Sequence, residues 1–431
     1  MSRAFENLEP GTGGQRVNAL RNRADGTQVS TLELFFDLVY VFAISQISHL
    51  LLEHLTWRGA LETAVITVAI WWAWIDTTWI TNWFDPRKMP VRLMLIALMG
   101  MGLVMSAAIP EAFGGRGEWF ALGYVAIQVG RSAFCLFMLG RNEQAANFTR
   151  ITIWALLSAP LWIAGGFAEG DARLVLWACA VLVDSFGPAL GFRVPGLGKS
   201  TTDQWTIAGG HLAERCQLFV IIALGESILL TGATLAHEKE LTWAIAVAFS
   251  IAFLTSVMMW WVYFSRAGRA AEIFEQAKNP GRMGRAYTYF HLPMIAGVIA
   301  LAVANEKVIA HPLGHVEPEF TAVAVAGVSL YMFGNAIFNG AITEAFPRRR
   351  SMVVVATLLV IPFAHWLNPI LVSLWVLLPM LTLAIVDGMT KPPPYRNLSG
   401  EEDPVDPSAM GGNDGLSQVR PPADAFHHDE D

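Results

Sequence analysis

Most of the chain's interest lies in a few charged residues set inside long apolar runs. The stretch TLELFFDLVYVFAISQISH, residues 31–49, carries Glu33 and Asp37 one helical turn apart, followed by Ser45, Gln46, Ser48 and His49. A second dense stretch, HLAERCQLFVIIALGES at residues 211–227, holds His211, Glu214, Arg215 and Glu226. Asp76, Arg131 and Asp184 stand singly in three further apolar runs. A charge at membrane depth costs about 2.5–3.5 kcal/mol on insertion scales, so such residues mark a pathway, a partner or a site. The chemistry open to them is proton carriage, cation binding or the pairing of one charge with another.

Helical geometry sorts these residues. Glu33, Asp37 and Tyr40 share one face, with Asp37 about 6 Å deeper than Glu33. His211, Arg215 and Glu226 also share a face, but Arg215 and Glu226 are about 16 Å apart along the axis and cannot pair directly. Asp37, Asp76, Glu226 and Glu214 are therefore candidates for a substrate or ion pathway, with Glu226, beside Gly225 and Ser227, the foremost. Glu33, Arg131, Asp184, Arg215 and His211 are candidates for structural ion pairs. Arg215 has depth enough to meet Glu33 or Asp37. By depth, Asp37, Asp76, Arg131 and Asp184 are expected to form one layer, with Arg131 paired to an aspartate.

The elements that position these groups are membrane helices. Of 431 residues, 54% are hydrophobic and 15% charged, against roughly 25% charge in a soluble domain. Apolar stretches fall at about 34–52, 61–81, 91–110, 119–139, 151–167 and 174–192, and again at 212–235, 241–264, 286–304, 320–340, 352–367 and 369–387. Each approaches the roughly 20 residues a helix needs to cross the hydrocarbon core. The reading is an all-α integral membrane protein of about twelve spans. The pair at 352–387 is the weakest, because Asn368-Pro369 leaves only a tight turn between two short segments.

Twelve spans divide into two sets of six with common landmarks. Trp71-Trp72 answers Trp260-Trp261, Gly102 and Glu111 answer Gly297 and Glu306, Pro160 answers Pro362, and Glu33 answers Glu214. The expected organisation is a basic, disordered arm (1–30), a six-helix repeat (31–192), a linker (193–211), a second six-helix repeat in parallel orientation (212–390) and an acidic, disordered tail (391–431). With the first residue in the cytoplasm, the inner side holds 22 Lys and Arg and the outer side 5. That split predicts both termini inside a bacterial plasma membrane.

Several chemistries lack their residues. Cys135, Cys179 and Cys216 are far apart in apolar runs, and no zinc, Walker, GxSxG or dinucleotide motif is present. No lysine lies within a span to form a Schiff base. No cofactor, metal or nucleic-acid partner is expected. The bilayer is the expected partner, with a small solute or cation, and a homo-oligomer remains open.

The runs ELFFDLVYVFAISQISHLL, Asn82-Trp83-Phe84-Asp85 and HLAERCQLFVIIALGESIL together resemble the low temperature requirement A (LtrA) family over residues 29–390. The resemblance implies a bacterial polytopic membrane protein, tied by name to growth in the cold. It carries Glu33, Asp37, His211, Glu214, Arg215 and Glu226 over as the family's polar positions. The run FFDLVYVFAI is also similar to the first helix of twelve-helix, two-repeat potassium channels, without their Ser and preceding Arg. The expected function is a transporter or channel for a cation, a proton or a small solute. The alternatives are a membrane enzyme acting on lipid or isoprenoid at the inner leaflet, and a non-catalytic structural or regulatory protein.

Overall fold

A computed structural model describes residues 19–21, 28–140, 144–201, 207–277, 279–343 and 347–389. Most of the expected amino-terminal arm and all of the acidic tail lie outside these residues. Twelve α-helices follow in order: α1 Thr31–Glu53, α2 Trp57–Trp83, α3 Met89–Ala107, α4 Gly117–Leu139, α5 Ala145–Phe167, α6 Gly170–Ala189, α7 Gly209–His237, α8 Trp243–Gln276, α9 Pro280–Ala310, α10 Pro318–Thr343, α11 Arg348–Leu358 and α12 Pro369–Met389. All but α11 are long and apolar enough to cross a membrane.

The exception corrects the expected span at 352–367. That helix stops at Leu358 and resumes as a 3-10 turn over Ile361–Trp366. Pro362 has no N–H to donate and its ring crowds the carbonyl four residues back, that of Leu358, where the α-helix stops. The chain still crosses here. Arg349 and Arg350 both lie 3.3 Å from Asp387 near the end of α12, whereas the Ile370 amide near its start bonds to the Pro312 carbonyl 3.3 Å away, in the α9–α10 connection. Residues 350–370 therefore run the length of α12, as a broken helix. With twelve crossings, the two ends of the membrane bundle lie on one face.

Local chemistry fixes the helix starts. Ser30 and Glu33 form a capping box: the Ser30 hydroxyl accepts from the Glu33 amide (3.3 Å) and Glu33 Oε2 accepts from the Ser30 amide (2.9 Å). Thr56, Thr242 and Asn279 cap α2, α8 and α9 in the simpler way. Arg173, buried in α6, donates to the carbonyls of Gly165 and Ala168 at the end of α5 and to Ala112 and Gly114 before α4. It satisfies groups that a helix end otherwise leaves bare.

In lipid, helices associate through close packing rather than through the hydrophobic effect. The tightest contact is α9 against α10. A methyl group on Gly297 would fall 2.5 Å from the Tyr331 amide nitrogen, and one on Gly327 would fall 2.8 Å from the Leu301 nitrogen. Helix α2 lies at the centre, touching α1, α4, α6, α7 and α9, whereas the main contacts of α8 are with helices of the second six. The two tryptophan pairs diverge accordingly. Trp71 and Trp72 are each 2% exposed, whereas Trp260 and Trp261 are 47% and 48% exposed on the flank of the bundle.

Part of the amino-terminal arm is seated rather than free. The Arg21 amide bonds to the Trp83 carbonyl (2.8 Å) and the Asp85 amide to the Ala19 carbonyl (2.9 Å), pinning residues 19–21 along the end of α2. Asp85 in turn accepts from the Arg87 backbone (2.9 Å) and guanidinium (3.0 Å). Burial acts to raise the Asp85 pKa, but the Arg87 hydrogen bonds and charge outweigh it and hold the carboxyl below its usual range.

Candidate functional site

The polar residues of the membrane segments fall into three groups. The first joins α1 to α7. Both Asp37 oxygens bond to Arg215, at 2.7 and 2.8 Å, and Arg215 also donates to the Glu33 backbone carbonyl at 2.9 Å. The Trp74 indole donates to Asp37 Oδ1 at 2.7 Å, and its ring lies 5.5 Å from the Arg215 guanidinium, within cation–π range. Asp37 and Arg215 are essentially inaccessible to solvent.

One turn nearer the face, hydrogen bonding determines the form of His211. The Ala208 amide donates to Asn82 Oδ1 (2.9 Å), which fixes the orientation of that side chain. Asn82 Nδ2 then donates to the Ala208 carbonyl (2.8 Å) and to His211 Nδ1 (3.2 Å). With Nδ1 accepting, the ring proton sits on Nε2, which lies 2.8 Å from its acceptor Glu33 Oε1 and 3.1 Å from Arg21 Nη2. Arg21, from the seated arm, completes the cluster 3.5 Å from Glu33 Oε2. Two carboxylates thus meet two guanidiniums, and the cluster is neutral. Glu214 lies beside it, half-buried, and accepts the Val29 amide at 3.3 Å. Asp37 and Glu214, expected on a pathway, are here engaged in binding the chain to itself.

The second group joins α2, α4, α5 and α6. Arg131 Nη2 pairs with Asp76 at 3.0 Å, and Nη1 donates to the Ala73 carbonyl and the Thr77 hydroxyl, each at 3.0 Å. Gln128 bonds to Arg131 and donates to the Tyr124 hydroxyl (2.9 Å); Tyr124 and Trp162 both donate to Asp184 Oδ2 at 2.9 Å. Asp76, Arg131 and Asp184 do form one connected layer, but Asp37 belongs to the other cluster. The reason is the helix between them. Trp74 and Asp76 are two residues apart, about 200° around α2, so one turns toward α1 and α7 and the other toward α4.

The Asp76–Arg131 pair faces a cavity of about 610 Å³. Its walls come from α2, α5, the segment after α6, and α9, and Arg193, Lys199 and Arg285 stand exposed at its mouth. The Asp76 side chain is 30% exposed into this space, whereas that of Arg131 is almost covered. A volume between about 300 and 1,000 Å³ is typical of small-molecule sites.

The third group lies in the opposite half of the bundle. Glu226 in α7 is buried and lies near Ser45 and His49 of α1. Glu306 of α9 shares that histidine, and its Oε2 has no hydrogen-bond partner. The next residue, Ser227, bonds to Ser256 at 3.0 Å and lies 3.4 Å from Asn305. Unlike Asp37 and Asp76, Glu226 has no arginine beside it. Among the described residues no three His, Cys, Asp or Glu side chains come together to hold a metal ion.

Residues that the sequence did not single out complete these groups. Trp74, Gln128 and Tyr124 are ordinary in a membrane helix, and nothing in their spacing marks them as partners of distant charges. Buried Arg150 and Arg173 sit near loop ends, where arginine is unremarkable.

The family model of the bacterial low temperature requirement A protein matches residues 28–385. An uncharacterized protein of Rhizobium meliloti (strain 1021) is 41% identical over 318 residues, covering 73% of this chain and 78% of the relative. No solved structure matches. The matched segment takes in α1 through most of α12, with every residue of the three polar groups except Arg21, and the chain belongs to the bacterial low temperature requirement A family.

Proposed function

We propose that the protein is a carrier for a small solute, which enters the 610 Å³ cavity and reaches the Asp76–Arg131 pair, with Glu226 handling a proton or cation from the other side. The cavity carries this reading, since it leads from one arginine-rich face to a charged pair at membrane depth. The basic residues at its mouth favour placing that face in the cytoplasm, and with it both ends of the bundle.

Depth supports the division of labour. Asp76 is seven residues, about 10 Å, from the end of α2, whereas Glu226 is seventeen residues, about 25 Å, from the start of α7 at the same face. The two sites thus lie in opposite halves of the bundle, as access from alternate sides requires. Neighbour relations that recur in the two sixes support a parallel duplication: α1–α3 and α7–α9, α3–α4 and α9–α10, α2–α6 and α8–α12. Transporters of this kind place their solute between repeats. An enzyme acting on lipid at the same face has less support, because among the described residues Asp76 is the one carboxylate lining the cavity and general acid–base chemistry needs a partner for it.

The test is reconstitution in liposomes containing a pH-sensitive dye. The expected result is a proton or K⁺ flux across loaded vesicles that Glu226→Gln abolishes and Asp76→Asn reduces at least tenfold. Vesicles as tight to protons, K⁺ and Na⁺ with the wild type as with empty membranes would count against the proposal.

A further inference from the structure

The charges and walls of the cavity specify what it takes. We infer that it binds an amphipathic anion, a phosphate or carboxylate group on an apolar chain or ring, with the anionic group at the mouth and the apolar body against the tryptophans. This rests on the reading of the cavity as the solute site and narrows the solute to a chemical class.

Charge is the first argument. Arg193, Lys199 and Arg285 at the mouth form no ion pair with any described residue. Behind the wall, Arg150 is only 7% exposed, and its partners are all neutral: the Leu197 carbonyl at 2.7 Å, Asn147 Oδ1, and Ser200 Oγ at 3.5 Å. Its Nε has no partner, and Ser200 lines the cavity. A buried guanidinium without a carboxylate is costly, and a bound anion nearby offsets that cost. Arg131 contributes no net charge, being neutralised by Asp76. Four cations therefore surround an opening that contains no uncompensated acid among the described residues.

The walls are the second argument. Trp72 and Trp79 face the cavity, but their indole N–H groups are already committed, to Ser185 Oγ and Thr288 Oγ1, both at 2.9 Å. Tyr289 likewise donates to the Ser185 carbonyl at 2.8 Å. These bonds span α2, α6 and α9, so the rings are fixed in place and offer a ligand apolar surface instead of donors. Phe148 and Ile151 extend that surface on the α5 side.

The floor sets the orientation. Asp76 Oδ2 takes Arg131, while Oδ1 is left without a partner among the described residues and the side chain stays 30% exposed. An open carboxylate oxygen repels a second anion and accepts from a hydroxyl or ammonium group. A molecule anionic at both ends is therefore excluded, and one anionic at a single end is admitted.

The probe is a decyl phosphate bearing a diazirine at its apolar end, photolysed with the full-length protein in phosphatidylcholine nanodiscs and mapped by mass spectrometry. Labelling is expected on α2 and α9 near Trp79 and Tyr289. Unlabelled decyl phosphate and decanoate should compete, whereas decanol, decyltrimethylammonium and 1,10-decanedioate should not. Lys199→Glu with Arg285→Glu, both at exposed positions, should lower labelling at least tenfold without changing the elution of the protein. Adding phosphatidylglycerol to the disc assigns the source, since the inference holds in either case: competition names a membrane lipid, and its absence names a water-soluble anion. Equal competition by decanol, or labelling unchanged by the charge reversals, would overturn the inference. The liposome flux is read separately, so a carrier without anion binding and an anion binder without flux are told apart.

Discussion

Asp37 and Arg215 show how a membrane protein holds charge at depth. Both Asp37 oxygens and both terminal nitrogens of Arg215 are filled, by a bidentate pair, an indole and a backbone carbonyl, and Arg215 Nε alone has no partner among the described residues. Removing one partner of such a pair costs about 3–5 kcal/mol, because the other is left buried and uncompensated, whereas replacing both by apolar residues of similar size is close to neutral. Arg215→Ala or Asp37→Ala should therefore abolish folded protein in detergent, and Asp37→Leu with Arg215→Met should recover much of the thermal stability. A double variant no better than either single would contradict a paired role. Asp85 gives a pH dependence of known sign. Its folded pKa is depressed by Arg87, so its contribution is fully present above the unfolded value of about 3.9 and is lost as pH falls through the lower folded value. The melting temperature of Asp85→Asn should lie below wild type at pH 7, and the difference should begin to shrink only as pH falls below about 4.

Among the elements, α9 and α10 depend on backbone contact. Gly297→Leu would drive a side chain into the Tyr331 amide and the Gly327 carbonyl, both within 2.6 Å of an added Cβ, and should separate the helices with large loss of folded protein. Gly225→Leu in α7 is the control, since nothing lies within 4 Å of its position, and it should be tolerated. Size-exclusion profiles of the two variants distinguish a local packing role from a general intolerance of bulk. The broken α11 belongs to this scale as well. Pro160 sits inside an unbroken α5, whereas Pro362 falls between α11 and its 3-10 continuation. Composition alone gives these two prolines the same meaning.

For the whole molecule, the broken helix restores the even number of crossings and so returns the chain to its starting face. Single cysteines at Gly115 and Gly314 should react with an impermeant maleimide from outside intact cells, and one at Leu197 only after permeabilisation. Labelling of Leu197→Cys in intact cells would reverse the orientation. The native Cys179 is exposed on the surface of the bundle and should be replaced before the measurement.

Much of this was written in the sequence. Apolar runs of spanning length force helices, because a bilayer core offers backbone groups no other partners, and loop arginines and lysines suggest which face is which. Depth along a helix put Arg215 within reach of Glu33 and Asp37, and Arg131 within reach of Asp76, since axial position needs only the rise per residue. Azimuth between helices is another matter. Whether Asp37 joins Asp76 or Arg215 depends on which side of α2 each neighbour packs, and α2 presents Trp74 one way and Asp76 the other. The seating of Arg21, the neutral form of His211 and the cavity between α2, α5 and α9 are likewise products of groups from separate parts of the chain meeting at chosen angles. Tertiary structure alone decided those meetings, because helix periodicity fixes where a residue points on its own axis and says nothing of what stands opposite.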